Sequence, residues 1–229
     1  MKIDLVQYMK NRYLERNTPG QDPGPVVTIA REMGCPGKKV AQCLTDCLNQ
    51  RFEKSNKKGE WKWVGKEIFI EAAKELNLDT HEVREVFKKN RGVIDQILSS
   101  QSQKFYKSDK QVRKTIGQVI RSMASDGHVI ILGRGGVALT RDISRSLHVY
   151  LEAPLDWRAA LVSEKHSITL EEAKKYTQAV DKRRAQYREY YQGKNTDYTW
   201  FDVRFNCMTL SVEEIVDVII KMMEVRKLI

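Results

Sequence analysis

A chain of 229 residues with 41% hydrophobic and 31% charged residues can build one α/β core with an insertion, and it is too apolar for a disordered chain. Forty Lys and Arg against thirty Asp and Glu give a formal net charge of +10, which attracts phosphorylated small molecules and polyanions alike. The longest apolar runs, residues 129–132 and 215–220, are too short to cross a bilayer and the polar N-terminus has no signal core, so a soluble cytoplasmic protein without a membrane partner is expected.

In chain order, residues 3–14 carry apolar side chains at helical spacing, and residues 17–25 hold three prolines and two glycines, a linker before a core that starts at Val26. Residues 26–30 predict a short β-branched strand, followed by the turn Gly34-Cys35-Pro36-Gly37 and a helix from 39 to about 52. Residues 55–66 read as a polar loop carrying Trp61 and Trp63, a pair that suits either packing or stacking on a base. Helices are expected at about 67–76, 80–90 and 111–125, the last stopped by Asp126-Gly127.

Residues 128–132 predict a central strand covered on both faces, running into Gly133-Arg134-Gly135-Gly136. A strand at 147–151 is closed by Ala153-Pro154 and followed by a helix over 155–165. A charged helix over 168–191 opens with Thr169 and Glu172 in capping-box spacing, and Ser211 with Glu214 repeats that signal before a helix over 212–225. Residues 201–205 give the remaining strand, and His128 and His148 read as residues at the edge of the core.

Cys35, Cys43, Cys47 and Cys207 are too few for a disulfide framework and suit a reducing compartment. Cys43 and Cys47 read as small packing residues of a helix, and no metal site is assigned.

Three constellations can carry chemistry. Residues 31–39, Arg-Glu-Met-Gly-Cys-Pro-Gly-Lys-Lys, occupy the strand-to-helix junction of a phosphate loop. With Gly37-Lys38 in the Gly-Lys position, Glu32 replaces the first glycine and Lys39 replaces the hydroxyl residue that would hold magnesium. A helix N-terminus there still offers N–H groups to an anion, although the same letters also suit a plain helix-starting turn. Arg134, between glycines at the end of a buried strand, can grip a phosphate with two parallel hydrogen bonds or pair with a neighbouring helix. Asp181, Arg184 and Arg188 share one helical face, with Arg158 on the helix before; they can close over phosphates or form a solvated charged face.

Residues 27–34 (Val-Thr-Ile-Ala-Arg-Glu-Met-Gly), residues 129–135 (Val-Ile-Ile-Leu-Gly-Arg-Gly), Asp181 with Arg184, and Phe201-Asp202-Val203 before Asn206 together resemble the cytidylate kinase-like family. This branch is related to bacterial cytidylate kinases among the P-loop nucleoside-monophosphate kinases, and the resemblance covers about residues 26–222. It implies a three-layer αβα domain over 26–229, with a five-stranded parallel sheet, a helical monophosphate-binding insertion at about 60–125 and a helical lid at about 155–193. It also implies ATP-dependent phosphoryl transfer to a nucleoside monophosphate or similar small acceptor, with ATP and Mg2+, and no protein ligand for Mg2+ is identified.

Motifs and resemblance together give Lys38, Arg158 and Arg184 as catalytic cations. They give Arg31, Gly34, Gly37, Lys38 and Lys39 as phosphate-binding residues, and Arg134, Asp181, Arg184 and Arg188 as acceptor-binding residues. Related cytidylate kinases carry acidic residues where this chain has Leu132 and Gly135, so cytosine recognition is not implied. The alternative reading on the same fold is a catalytically impaired nucleotide-binding or nucleic-acid-associated protein.

Overall fold

The computed structural model describes residues 23–54, 60–65, 103–193 and 198–229. These divide into two compact units, one holding residues 103–122 and the other Pro23–Gly65 with Met123–Ile229. The second unit is built on a five-stranded, all-parallel sheet. Its strands are β1 (Val26–Arg31), β2 (Lys62–Val64), β3 (Val129–Leu132), β4 (Ser146–Glu152) and β5 (Val203–Asn206), ordered β2-β3-β1-β4-β5.

β1 lies at the centre, with Val26 opposite both Val129 of β3 and Ser146 of β4. Every residue of β3, and all of β1 and β4 except their last, is buried, which is why these strands read as continuous apolar runs rather than as alternating ones. On one face, α1 (Gly37–Lys54) and α6 (Val212–Val225) bury Val40, Leu44, Leu48, Ile215 and Ile219 against Val27, Ile29 and Leu147. Each such side chain stabilises the fold by about 1.5–3 kcal/mol relative to exposure. A smaller cluster joins Ala30, Val137, Tyr150 and Phe201, with Val137 supplied by the short helix α3 (Gly136–Thr140).

The helical pair α4 (Leu155–His166) and α5 (Leu170–Gln192) occupies the span expected of a lid. Both capping boxes form: Glu172 N–H donates to Thr169 at 3.3 Å, and Glu214 N–H donates to Ser211 at 3.1 Å.

Several expectations are revised. The polar stretch 55–66 contains the edge strand β2, whose start is fixed by Asn49: its side chain accepts from Trp61 N–H at 2.7 Å and donates to Trp61 C=O at 3.0 Å. Three residues flanked by tryptophan and glycine are too short to show a period. The helix expected at 111–125 is α2 (Gln103–Asp126), longer at its start, and within it Ile116, Val119 and Ile120 are buried at helical spacing. β5 starts two residues later than expected, after a single 3-10 turn at Tyr198–Trp200. The expected helices at 3–14, 67–76 and 80–90, and the body of the insertion, lie outside the described residues.

Candidate phosphate and acceptor site

The site forms where β1, β3 and β4 end, the edge at which open α/β sheets place their ligands. Beyond Arg31 the chain keeps one more ladder bond, Glu32 N–H to Leu151 C=O at 3.0 Å, and turns through Gly34 at φ 96° into α1. Gly34 is required twice over, by its left-handed backbone and because a Cβ there would lie 2.8 Å from Arg158 Cβ and 3.0 Å from Arg158 Cα. Gly37 and Lys38 are the first two residues of α1, so the junction presents a helix N-terminus rather than a long wrapped loop.

Much of the turn's donor capacity is already committed. Met33 N–H donates to Asp181 at 2.7 Å, Cys35 N–H to Glu32 C=O at 3.3 Å, and Gly37 N–H to Cys35 C=O at 2.9 Å. Gly34, Lys38 and Lys39 are left to supply the open amides among the described residues, the last two at the positive end of the α1 dipole. The Lys38 ammonium lies 5.7 Å from the Trp63 ring centre, and the Trp63 indole N–H donates to Gln42 at 2.8 Å, which places β2 beside the start of α1.

At the end of β3, Gly133, Arg134 and Gly135 take φ of 77°, 58° and 69°, three left-handed residues in succession. Arg134 bears the strain of that conformation, about 1–2 kcal/mol for a residue with a side chain. Its guanidinium lies 5.7 Å from the Tyr187 ring centre. A Cβ on Gly135 would meet the Tyr191 ring at 2.6 Å, and one on Gly133 would collide with the Arg31 guanidinium, so these glycines admit Tyr191 and Arg31 to the turn.

Arg158 is placed differently from an arginine reaching out of a lid. It is buried and holds the turn from below. Its Nε donates to Ala153 C=O at 2.7 Å and lies 3.1 Å from Glu32, while one Nη donates to Met33 C=O at 3.0 Å and to Asp181 at 2.6 Å. A buried guanidinium has to be neutralised and its donors filled, and two carboxylates and two carbonyls do both. Burial pushes the Glu32 carboxyl up, against the opposing effects of the Ala153 N–H and Arg158. Asp181 is thereby engaged on both oxygens, by Met33 N–H and by Arg158.

Arg184 donates to Arg31 C=O at 3.0 Å and lies 3.8 Å from Asp181. Burial pushes its pKa down while Asp181 acts in the other direction, and arginine stays charged throughout. Arg188 is 9% exposed, its guanidinium sits 5.8 Å from the Tyr150 ring centre, and its Nε has no hydrogen-bond partner among the described residues.

Arg31, Arg134, Arg184 and Arg188 therefore gather around the ends of β1, β3 and β4, beside the start of α1. Asp181 and Arg158 instead clamp the turn. Glu32 as the partner of Arg158, and the ring faces of Tyr150 and Tyr187, carry no signal in the sequence, because no local spacing announces a contact between residues that lie far apart in the chain. Among the described residues no three Asp, Glu, His or Cys side chains are placed to hold a metal ion, and no helix is long and apolar enough to cross a membrane.

This parallel sheet order, with a glycine turn opening α1 and a helical pair after β4, defines an open, all-parallel α/β domain. The chain belongs to the cytidylate kinase-like family, whose sequence profile matches residues 26–207. Among solved structures it is similar to an uncharacterized protein from Eubacterium ventriosum, at 20% identity and TM-score 0.60, covering 87% of this chain and 98% of that one. A shikimate kinase from Bacteroides thetaiotaomicron matches at 12% identity and TM-score 0.48 over 87% of this chain and 98% of its own. A gluconokinase from Sinorhizobium meliloti matches at 10% and 0.48 over 90% and 94%. No curated protein matches the chain. Membership of that family makes it kinase-like.

Proposed function

We propose that this protein transfers a phosphoryl group from ATP to a nucleoside monophosphate or a similar small acceptor bearing an anionic group. The observation that carries the reading is Arg188, a buried guanidinium with an open Nε, beside Arg184 and Arg134 where the central strands end. Buried cations seek an anion, and a phosphate offers the planar arginine fork a matching acceptor.

In this reading the open amides of Gly34, Lys38 and Lys39, with Arg31 and the Lys38 and Lys39 ammonium groups, receive the donor's phosphates. Arg134, Arg184 and Arg188 hold the acceptor, and Arg184, between the two groups, stabilises charge on the moving phosphoryl group. Arg158 and Asp181 are positioning residues that shape the turn from below. The donor set does not fit a protein-held Mg2+: the hydroxyl position is Lys39 and the nearby carboxylates Glu32 and Asp181 are committed to Arg158. Mg2+ would arrive bound to ATP, and no step is assigned to a protein ligand of it.

A thermal-shift panel of nucleoside monophosphates with and without MgATP, followed by measurement of ADP release, tests the proposal. Selective stabilisation by one monophosphate together with MgATP, and ADP released only when both are present, is the expected result. Stabilisation by any polyanion that disappears with salt would refute it and favour general charge attraction. Monophosphate binding without ADP release would favour the impaired, binding-only reading, for which the missing hydroxyl at Lys39 speaks.

A further inference from the structure

We propose that the acceptor carries a hydroxyl beside its anionic group, and that Gln192 selects for this hydroxyl together with Arg188. Among the described residues, four buried side-chain nitrogen or oxygen atoms have no hydrogen-bond partner: Trp61 Nε1, Thr177 Oγ1, Arg188 Nε and Gln192 Oε1. The last two belong to residues four apart at the end of α5, so they share one face of that helix. The helix is regular to this point, since Gly193 N–H bonds Glu189 C=O at 2.8 Å and closes its last turn. The same two turns stand against the strand ends. Tyr187 lies beside Arg134, Arg188 lies 5.8 Å from the Tyr150 ring centre, and a Cβ on Gly135 would meet the Tyr191 ring.

Polarity decides which group fits the pair. Arg188 Nε can only donate and Gln192 Oε1 can only accept. An ionised phosphate or carboxylate oxygen would satisfy the first and set another acceptor against the second, and an ammonium would do the reverse. A hydroxyl has one donor and two lone pairs, so it accepts from Arg188 and donates to Gln192 at once. The anionic group then falls to Arg134, Arg184 and the outer nitrogens of the Arg188 guanidinium.

The rings point the same way. Tyr150 has the guanidinium groups of Arg188 and Arg204 at 5.8 and 5.0 Å and the Phe201 ring at 4.8 Å, and Tyr187 has Arg134 at 5.7 Å and Tyr191 at 5.5 Å. With these rings engaged by protein groups, hydrogen bonding rather than base stacking separates one acceptor from another. A site built to bond a hydroxyl discriminates against the analogue without it, because that analogue leaves buried polar atoms unpaired. The ligand chemistry is therefore a small anion with a neighbouring hydroxyl, supplied either by a free sugar phosphate or by the ribose of a nucleoside monophosphate. This inference rests on the reading of these arginines as an acceptor site.

The experiment measures binding to the full chain by calorimetry at fixed ionic strength, using ligands matched except for their hydroxyls. One pair is glycerol 3-phosphate and propyl phosphate; the others are ribonucleoside monophosphates and their 2′,3′-dideoxy counterparts. In at least one pair the hydroxylated member should bind about tenfold more tightly, and which pair shows this identifies the source. Gln192→Met, or Gln192→Leu should the methionine variant fold poorly, should lose the preference while binding the hydroxyl-free member as the parent does. Without ligand, the same variant should melt at the parent's temperature or up to about 4 °C above it, because a buried oxygen without a partner has been removed. A preference that survives in the variant would overturn the proposal. So would a lowered melting temperature without ligand, which would mean that Gln192 serves the fold through an ordered water only. Anions that bind the parent with no preference for the hydroxyl would leave the acceptor site standing and overturn this inference alone. If no anion of the panel binds, both fall.

Discussion

Replacing Arg158 with methionine should destabilise the protein far more than removing an exposed arginine, and the structure supplies the magnitude. Methionine keeps much of the side chain's apolar volume, so the loss is chiefly electrostatic. It removes the bonds to Ala153 C=O and Met33 C=O and leaves Glu32 and Asp181, side chains 24% and 23% exposed, without their common cation. Breaking one side of a fully buried ion pair costs about 3–5 kcal/mol. Partial exposure lets the two carboxylates recover some hydration, which brings the expected loss to about 3 kcal/mol. For a chain of this size that lowers Tm by roughly 6–12 °C.

Arg204→Met is the control. Its pair with Glu152 joins side chains 39% and 33% exposed, and such pairs contribute about 0–1 kcal/mol. Arg158→Lys should recover little, because an ammonium cannot serve Ala153, Met33, Glu32 and Asp181 in the geometry of the guanidinium fork. Differential scanning calorimetry and urea unfolding of the three variants at one pH decide the matter. Equal small losses at positions 158 and 204 would refute the claim that the Arg158 network holds the turn.

Arg134→Ala should weaken acceptor binding by about 1.5–3 kcal/mol and Lys182→Ala by roughly 0–1, as read by calorimetry at fixed ionic strength; equal losses would remove Arg134 from the site. Gly34→Ala should cost about 2 kcal/mol or more, since the left-handed backbone at φ 96° and the collision with Arg158 act together, and urea midpoints unchanged from the parent would contradict this. Burial holds His148 below the ordinary imidazole value, with Asp202 opposing; Thr28 Oγ1 lies 2.8 Å from its Nδ1. The unfolded chain therefore binds a proton that the folded chain refuses, so this residue's contribution is complete above about pH 6.5 and is lost as pH falls from there toward the lower folded value. Stability measured from pH 7.5 to 5 should decline more steeply in the parent than in His148→Gln, and parallel profiles would contradict the assignment.

What the sequence determined by itself is what residues settle within a turn or two of chain. The buried runs at 26–30, 129–132 and 147–151 demand central strands, because only a sheet covered on both faces hides them. Thr169 with Glu172 and Ser211 with Glu214 announce two helix starts through bonds that span three residues. The glycines around Arg134 mark a left-handed turn at a strand end, and the matched motifs declare the family.

The tertiary structure alone decided that Lys62–Val64 is an edge strand, since three residues carry no period and the ladder to β3 supplies the order. It alone turned Arg158 from a cation read as reaching from a lid into the buried support of the turn, and placed Asp181 on Met33 N–H. A guanidinium or a carboxylate has the same local preferences whatever it finally touches. Its partner is chosen by which strands lie side by side, a choice made by the burial of the whole core rather than by neighbours in the chain.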